Sequence, residues 1–158
     1  MEEQSQLYLN KYLNSLSDAE REKYQSFSAD YFCGDEHNAN LCAELIRIGQ
    51  KTATCSLSHW YESGEEPMPT VGHLQVVVDW HGNPICIVEI DTVENCKYNE
   101  VTAEFAHAEG EGDQSLEWWR KAHWNFFARE CTELGIKPND DMMLVLERFH
   151  VVYRSPSE

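Results

Sequence analysis

Leu45-Ile46-Arg47-Ile48-Gly49-Gln50-Lys51-Thr52-Ala53-Thr54-Cys55-Ser56-Leu57 changes its pattern once, at Gly49. Upstream, Leu41, Ala43, Leu45, Ile46 and Ile48 recur at helical spacing. Gly49 is the expected stop, because glycine enters the left-handed backbone that ends a helix. Downstream, Thr52 to Ser58 reads as a strand rich in small hydroxyl side chains. Lys51 stands at the junction, with Thr54 three residues on. A cation there complements the helix dipole. It is also a candidate for chemistry, because a buried lysine of lowered pKa can activate a hydroxyl.

On the N-terminal side, residues 1–36 read as helical and acidic, with Leu9, Tyr12, Leu13 and Leu16 at helical spacing. Ser17-Asp18-Ala19-Glu20 forms a capping box that opens a second short helix, and Asn38 or Asn40 is the expected cap of the helix ending at Gly49. On the C-terminal side, Glu62 to Gly72 is a loop. Leu74–Asp79 and Pro84–Ile90 form a hairpin around Trp80-His81-Gly82-Asn83, with Glu89 either on the solvent face or in a cavity. A short helix begins at Asn99 or Thr102 and ends at Gly110. The longest runs from Ser115 to about Leu134 with an apolar stripe of Leu116, Trp119, Ala122 and Phe126, widened by Trp124, Phe127, Cys131 and Leu134. Met142 to Tyr153 is the closing strand.

This order predicts an α+β fold with a small, mostly antiparallel sheet or barrel covered by helices. The expected organisation is an N-terminal helical extension over 1–37 that packs on the domain, the domain itself over 38–154, and a tail over 155–158.

The chain has 158 residues and a net charge of −16, from 12 Lys+Arg against 28 Asp+Glu. Each phosphate contact needs a cation, so this balance opposes extended binding to a phosphate backbone and excludes DNA as an expected partner. No apolar run reaches the ~20 residues of a membrane span, and Met1-Glu2-Glu3-Gln4-Ser5 does not resemble a signal peptide, so a cytoplasmic soluble protein is expected. The cysteines (33, 42, 55, 86, 96 and 131) contain no C-x-x-C pair and read as free thiols rather than as a zinc site.

Three groups carry possible chemistry. Lys51 and Thr54 are the first. Glu109, Glu111 and Asp113 form an acidic loop that could supply a general acid or base, hold Mg²⁺ or Ca²⁺, or favour the N-terminus of the long helix. Ser115, Trp118, Arg120 and His123 open that helix, with Arg120 and His123 three apart on a face that is either solvated or turned to a phosphate or base edge. Tyr61, with Trp60, is the better placed of the aromatics for stacking on a base.

Gly49-Gln50-Lys51-Thr52-Ala53-Thr54-Cys55-Ser56 resembles the G-x-K-x-x-T-x-R signature of the ASCH family, whose members have a small PUA-like β-barrel. Ala106 to Leu116, Trp119 to Phe127 and Glu147-Arg148-Phe149 are similar, in the same order, to motifs of its longer bacterial subgroup, so the resemblance spans roughly 38–153. It implies an amidohydrolase that removes an acyl group from N4 of a cytidine or related modified nucleoside, with no metal or cofactor. The lysine and threonine roles fall on Lys51 and Thr54, and that of the glutamate after the second helix on Glu109. Thr54 would attack or position water, Lys51 would activate it, and Glu109 would carry a proton to the leaving amine. Ser56 replaces the family arginine, and Arg120 is the expected substitute; Ser56, Arg120, Ser115, His123 and Tyr61 are the expected substrate-binding residues. The resemblance also implies two alternatives: a ribonuclease on single-stranded RNA, metal-assisted through Glu109, Glu111 and Asp113, or a non-catalytic RNA-binding module.

Overall fold

The computed structural model describes residues 1–154; the expected tail over 155–158 lies outside the described residues. The elements are α1 (Glu3–Asn14), α2 (Asp18–Arg21), β1 (Phe27–Asp30), α3 (Glu36–Arg47), β2 (Ala53–Leu57), α4 (His59–Glu62), β3 (Leu74–Val78), β4 (Pro84–Lys97), α5 (Ala103–Glu109), α6 (Leu116–Glu133) and β5 (Met143–Arg154), with a single 3-10 turn before α5. They make an α+β fold around one five-stranded sheet of order β1-β3-β4-β5-β2. All neighbours are antiparallel except the β1–β3 pair, which is parallel.

The hairpin forms as expected, but its second strand runs on to Lys97 and pairs along the whole of β5. Bulges between Ile87 and Val88 and between Ile90 and Thr92 bend this long pair, so each half of it carries its own core. Ala53, Leu57, Leu144 and Leu146 pack against Phe105 of α5 and against Trp119 and Phe127 of α6. Leu74, Val76 and Ile87 take Leu9 and Tyr12 of α1, and Val77, Val88 and Phe149 take Ala43 and Ile46 of α3.

Four expectations need correction. The sheet is open: its edge strands, β1 and β2, do not pair with each other, and both line one cleft. The N-terminal segment is not only helical, since Phe27–Asp30 pairs with Leu74–Val77. The expected boundary between 37 and 38 therefore cuts through α3 and separates an edge strand from its sheet, although α1 does pack on the domain. Asp35, not Asn38 or Asn40, caps α3, accepting a bond from the Asn38 N–H at 2.9 Å; Asn40 instead accepts from the Trp80 N–H at 3.0 Å. In α6 the buried residues are Trp119, Phe127 and Cys131, while Phe126 is exposed. The inward stripe steps 119, 123, 127, 131, and His123 lies on it.

Glu89 is on neither expected extreme, accepting a bond from the Tyr24 hydroxyl at 2.6 Å. Among the described residues no helix is long and apolar enough to cross a membrane. All six cysteines are free thiols.

Candidate active site

The helix-to-strand junction is built by local rules. Gly49 has φ +84°, and the Gln50 N–H donates to the Leu45 carbonyl at 2.9 Å while the Gly49 N–H donates to the Ile46 carbonyl at 3.0 Å. This is a Schellman stop. The chain then runs beside the end of α5: the Thr52 N–H donates to the Ala108 carbonyl at 2.8 Å, and the Gln50 side-chain amide donates to the Gly110 carbonyl at 2.8 Å. Thr102 caps α5, and Gly110 ends it at φ +73°. A Cβ on Gly110 would lie 2.5 Å from the Gln50 carbonyl oxygen, so only glycine admits this close approach.

The junction and the end of α5 bring a buried ion cluster together. Lys51 and Glu109 are each 2% exposed. Lys51 Nζ donates to the Ala53 carbonyl at 2.9 Å, to Glu109 Oε1 at 3.3 Å and to Glu111 Oε2 at 2.9 Å. Glu109 Oε2 accepts from the Trp119 indole N–H, and lies 3.1 Å from His123 Nε2 and 3.4 Å from the Cys55 thiol. His123 Nδ1 lies 2.9 Å from the Trp119 carbonyl, which can only accept. With an acceptor at each ring nitrogen, His123 is satisfied as an imidazolium, and its ring stacks on Trp119 at 4.3 Å.

These contacts set the protonation states. Burial alone would lower the Lys51 pKa, but the Glu109 and Glu111 carboxylates outweigh it and hold the amine above the ordinary lysine range. Burial would raise the Glu109 carboxyl, but Lys51 and His123 outweigh it and hold it down to about 2. His123 is likewise raised against its own burial by the hydrogen bond and charge of Glu109. The expectation of a neutral Lys51 base is therefore corrected: two carboxylates reverse the effect of burial. A carboxyl held near 2 is ionised across the neutral range, so as a shuttle Glu109 would first have to take up a proton.

Thr54 lies beyond this cluster, on the wall of a cleft of about 750 Å³. The edges β1 and β2 flank the cleft and the 66–70 segment lines it. Thr54, Cys55, Ser56 and Tyr61 form one side, and Phe27, Tyr31 and Phe32 offer aromatic faces. The Ser56 and Tyr61 hydroxyls are 2.7 Å apart. The lining contains Asp30, Glu66 and Glu147 but no lysine or arginine. Its histidine, His73, sits 2.7 Å from each of the Ser26 and Ser28 hydroxyls, and burial lowers its pKa. Glu147 is the register partner of Thr54 on the neighbouring strand. Burial pushes its carboxyl up to about 7, with Lys51 opposing only in part.

Of the expected residues, Thr54, Ser56 and Tyr61 share the cleft, and Lys51, Glu109 and His123 share the buried cluster behind it. Cys55 touches both. Two lie elsewhere. Arg120 is exposed, in a surface hollow with Leu116, Lys121 and Trp124, so it does not replace the family arginine beside Ser56. Ser115 caps α6 and donates its hydroxyl to Asp113 at 2.5 Å, a structural duty. The three acids of the loop do not converge on one point: Glu109 and Glu111 face Lys51, while Asp113 accepts from Ser115. Sequence reasoning missed the aromatic wall formed by Phe27 of β1 and by Tyr31 and Phe32 just after it, and gave Glu147 no role. The available signal for Glu147 was a lone acid directly after the apolar run Met142–Leu146.

The family model for the ASCH domain matches residues 28–153. Among solved structures, an ASCH domain from Lactobacillus crispatus is 62% identical over 98% of this chain and 97% of that one, with a TM-score of 0.95. A protein from Enterococcus faecalis is 28% identical over 98% of this chain and 91% of that one, with a TM-score of 0.84. No curated protein matches. Fold, motif order and family match agree, and the chain belongs to the ASCH domain family.

Proposed function

We propose that this protein is a hydrolase that cleaves the amide of an uncharged modified nucleoside, such as an N4-acylated cytidine, in the cleft between β1 and β2. The observation that carries this reading is the lining of the cleft. It pairs the Thr54 hydroxyl, which has no hydrogen-bond partner among the described residues, with aromatic faces and carboxylates, and it holds no lysine or arginine. Phosphate recognition draws on guanidinium or ammonium donors, so this lining suits a neutral nucleoside and opposes an RNA backbone. A volume of about 750 Å³ is within the usual span for a small-molecule site.

In this reading Thr54 supplies the attacking oxygen and a stacked aromatic holds the base. Lys51 acts as a fixed cation behind Thr54. Its ammonium donates to the Ala53 carbonyl, so it sets the start of the strand that carries Thr54. The ribonuclease and RNA-binding alternatives lose support from the same lining, and the dispersed loop acids weaken the metal-assisted form.

The test is release of cytidine from N4-acetylcytidine by the purified protein with chelator present, beside Thr54→Ala. Turnover by the parent and at least a ~10³-fold lower rate in the variant is the expected result. A folded parent with no turnover, or a variant that retains the rate, contradicts it.

A further inference from the structure

We infer that Glu147 is the general base and acid of this site, taking the hydroxyl proton of Thr54 as its oxygen attacks the amide carbon and passing that proton to the leaving amine. The inference rests on the hydrolase reading above.

The geometry carries it. Thr54 and Glu147 are register partners on antiparallel strands, so their side chains leave the same face of the sheet with Cβ atoms about 4.5–5.5 Å apart. Both line the cleft. Among the described residues neither side chain has a hydrogen-bond or ion-pair partner, so the carboxyl is free to take up a proton from the adjacent hydroxyl. The other titratable groups that line the cleft with it are Asp30, Cys55, Tyr61, Glu66 and His73. The cation near it, Lys51, is engaged by Glu109 and Glu111. Burial places the carboxyl at about 7, where both protonation states are populated and transfer in either direction is efficient.

The reaction balances without a co-reactant other than water. Glu147 removes the Thr54 proton as the Oγ1–carbon bond forms and the carbonyl π pair moves to oxygen. The oxyanion collapses, the carbon–nitrogen bond breaks, and the amine takes the proton from Glu147, leaving an acyl ester on Thr54. A water then gives its proton to Glu147 and adds to the ester. Collapse returns the proton to the Thr54 oxygen and releases the carboxylic acid.

The experiment compares parent, Glu147→Gln and Glu147→Asp on N4-acetylcytidine with chelator present, taking kcat and KM from pH 5 to 9 and checking folding by thermal melting. The parent kcat is expected to rise along a limb with its midpoint at about 7. In the Gln variant kcat falls by about 10²–10⁴-fold with KM little changed, and the limb is lost. In the Asp variant a weaker rate survives with its limb displaced. A folded Gln variant with parental kcat and limb overturns the assignment while leaving the hydrolase reading in place. If the Gln variant does not fold, the Asp variant decides: a displaced limb supports the assignment, and an unmoved limb overturns it. A folded parent with no turnover overturns both the reading and this inference, which separates that failure from the failure of Glu147 alone.

Discussion

Glu109 and Glu147 are two largely buried glutamates that both feel the charge of Lys51, yet the first is held down to about 2 and the second is pushed up to about 7. Burial acts on both in the same direction. The difference is partners. Glu109 has an ammonium, an imidazolium and an indole N–H on its two oxygens. Glu147 has a strand neighbour with a hydroxyl and an opening to the cleft. The paired carboxylate is locked into one protonation state and serves the framework. The unpartnered one keeps both states within reach. A charge that is fully satisfied stabilises the fold, whereas a charge left unsatisfied costs stability and gains chemistry.

The largest effect expected from this contrast is at the paired end. Glu109→Ala leaves the buried Lys51 and His123 without their shared partner, and removing one member of a buried pair costs about 3–5 kcal/mol. For a domain of this size that corresponds to a melting temperature lower by roughly 10 °C or more. A shift of only a degree or two would mean that the cluster is wet and weakly coupled. The opposite sign is expected at the cleft. A raised carboxyl favours the neutral form in the folded state, so Glu147 reduces stability progressively as pH rises from its ordinary value near 4.5 to about 7. Glu147→Gln should therefore stabilise the protein by about 1–3 kcal/mol at pH 8 and have little effect at pH 4.5, as read from chemical denaturation at the two values. Destabilisation at pH 8 would break the comparison.

The third effect sharpens the paired end. The pKa of His123 is raised in the folded state, so its bond to Glu109 contributes fully below about 6.5 and is lost as pH rises through the folded value. His123→Asn should cost about 2 kcal/mol at pH 6, with the deficit shrinking in alkaline solution. A cost that did not change with pH would show that the ring stack on Trp119, not the charge, is what counts. The smallest effect belongs to Arg120→Ala. Its side chain sits outside both regions, so stability should change by less than about 0.5 kcal/mol and turnover of N4-acetylcytidine should not change. A lost rate would restore Arg120 to the site.

The sequence was most legible where rules are local. The stop at Gly49, the end at Gly110 and the start at Ser115 each follow from a few neighbouring residues, and the structure has all three; of the two starts offered for the short helix, Asn99 and Thr102, it takes Thr102. It was least legible where two distant segments meet. Phe27–Asp30 is four residues without alternation and becomes a strand only because β3 offers it a parallel edge. Lys51 was expected as a base on the condition that burial lowers its pKa, and the carboxylates of Glu109 and Glu111 that reverse that effect reach it from across the fold. Glu147 comes opposite Thr54 through the β2–β5 register, a pairing that spans some ninety residues of sequence. His123 was expected at the site, but as a substrate-binding residue; four residues after Trp119 and four before Phe127, it lies on the inward face of α6 and meets Glu109 instead.

The most direct test of the contrast is a side-chain carboxyl ¹³C NMR titration from pH 3 to 9, with the two signals assigned by loss in Glu147→Gln and in Glu109→Gln. The account predicts a midpoint at about 7 for Glu147 and no titration of Glu109 anywhere in that range. A Glu147 midpoint near 4.5, among the ordinary carboxylates, would contradict it.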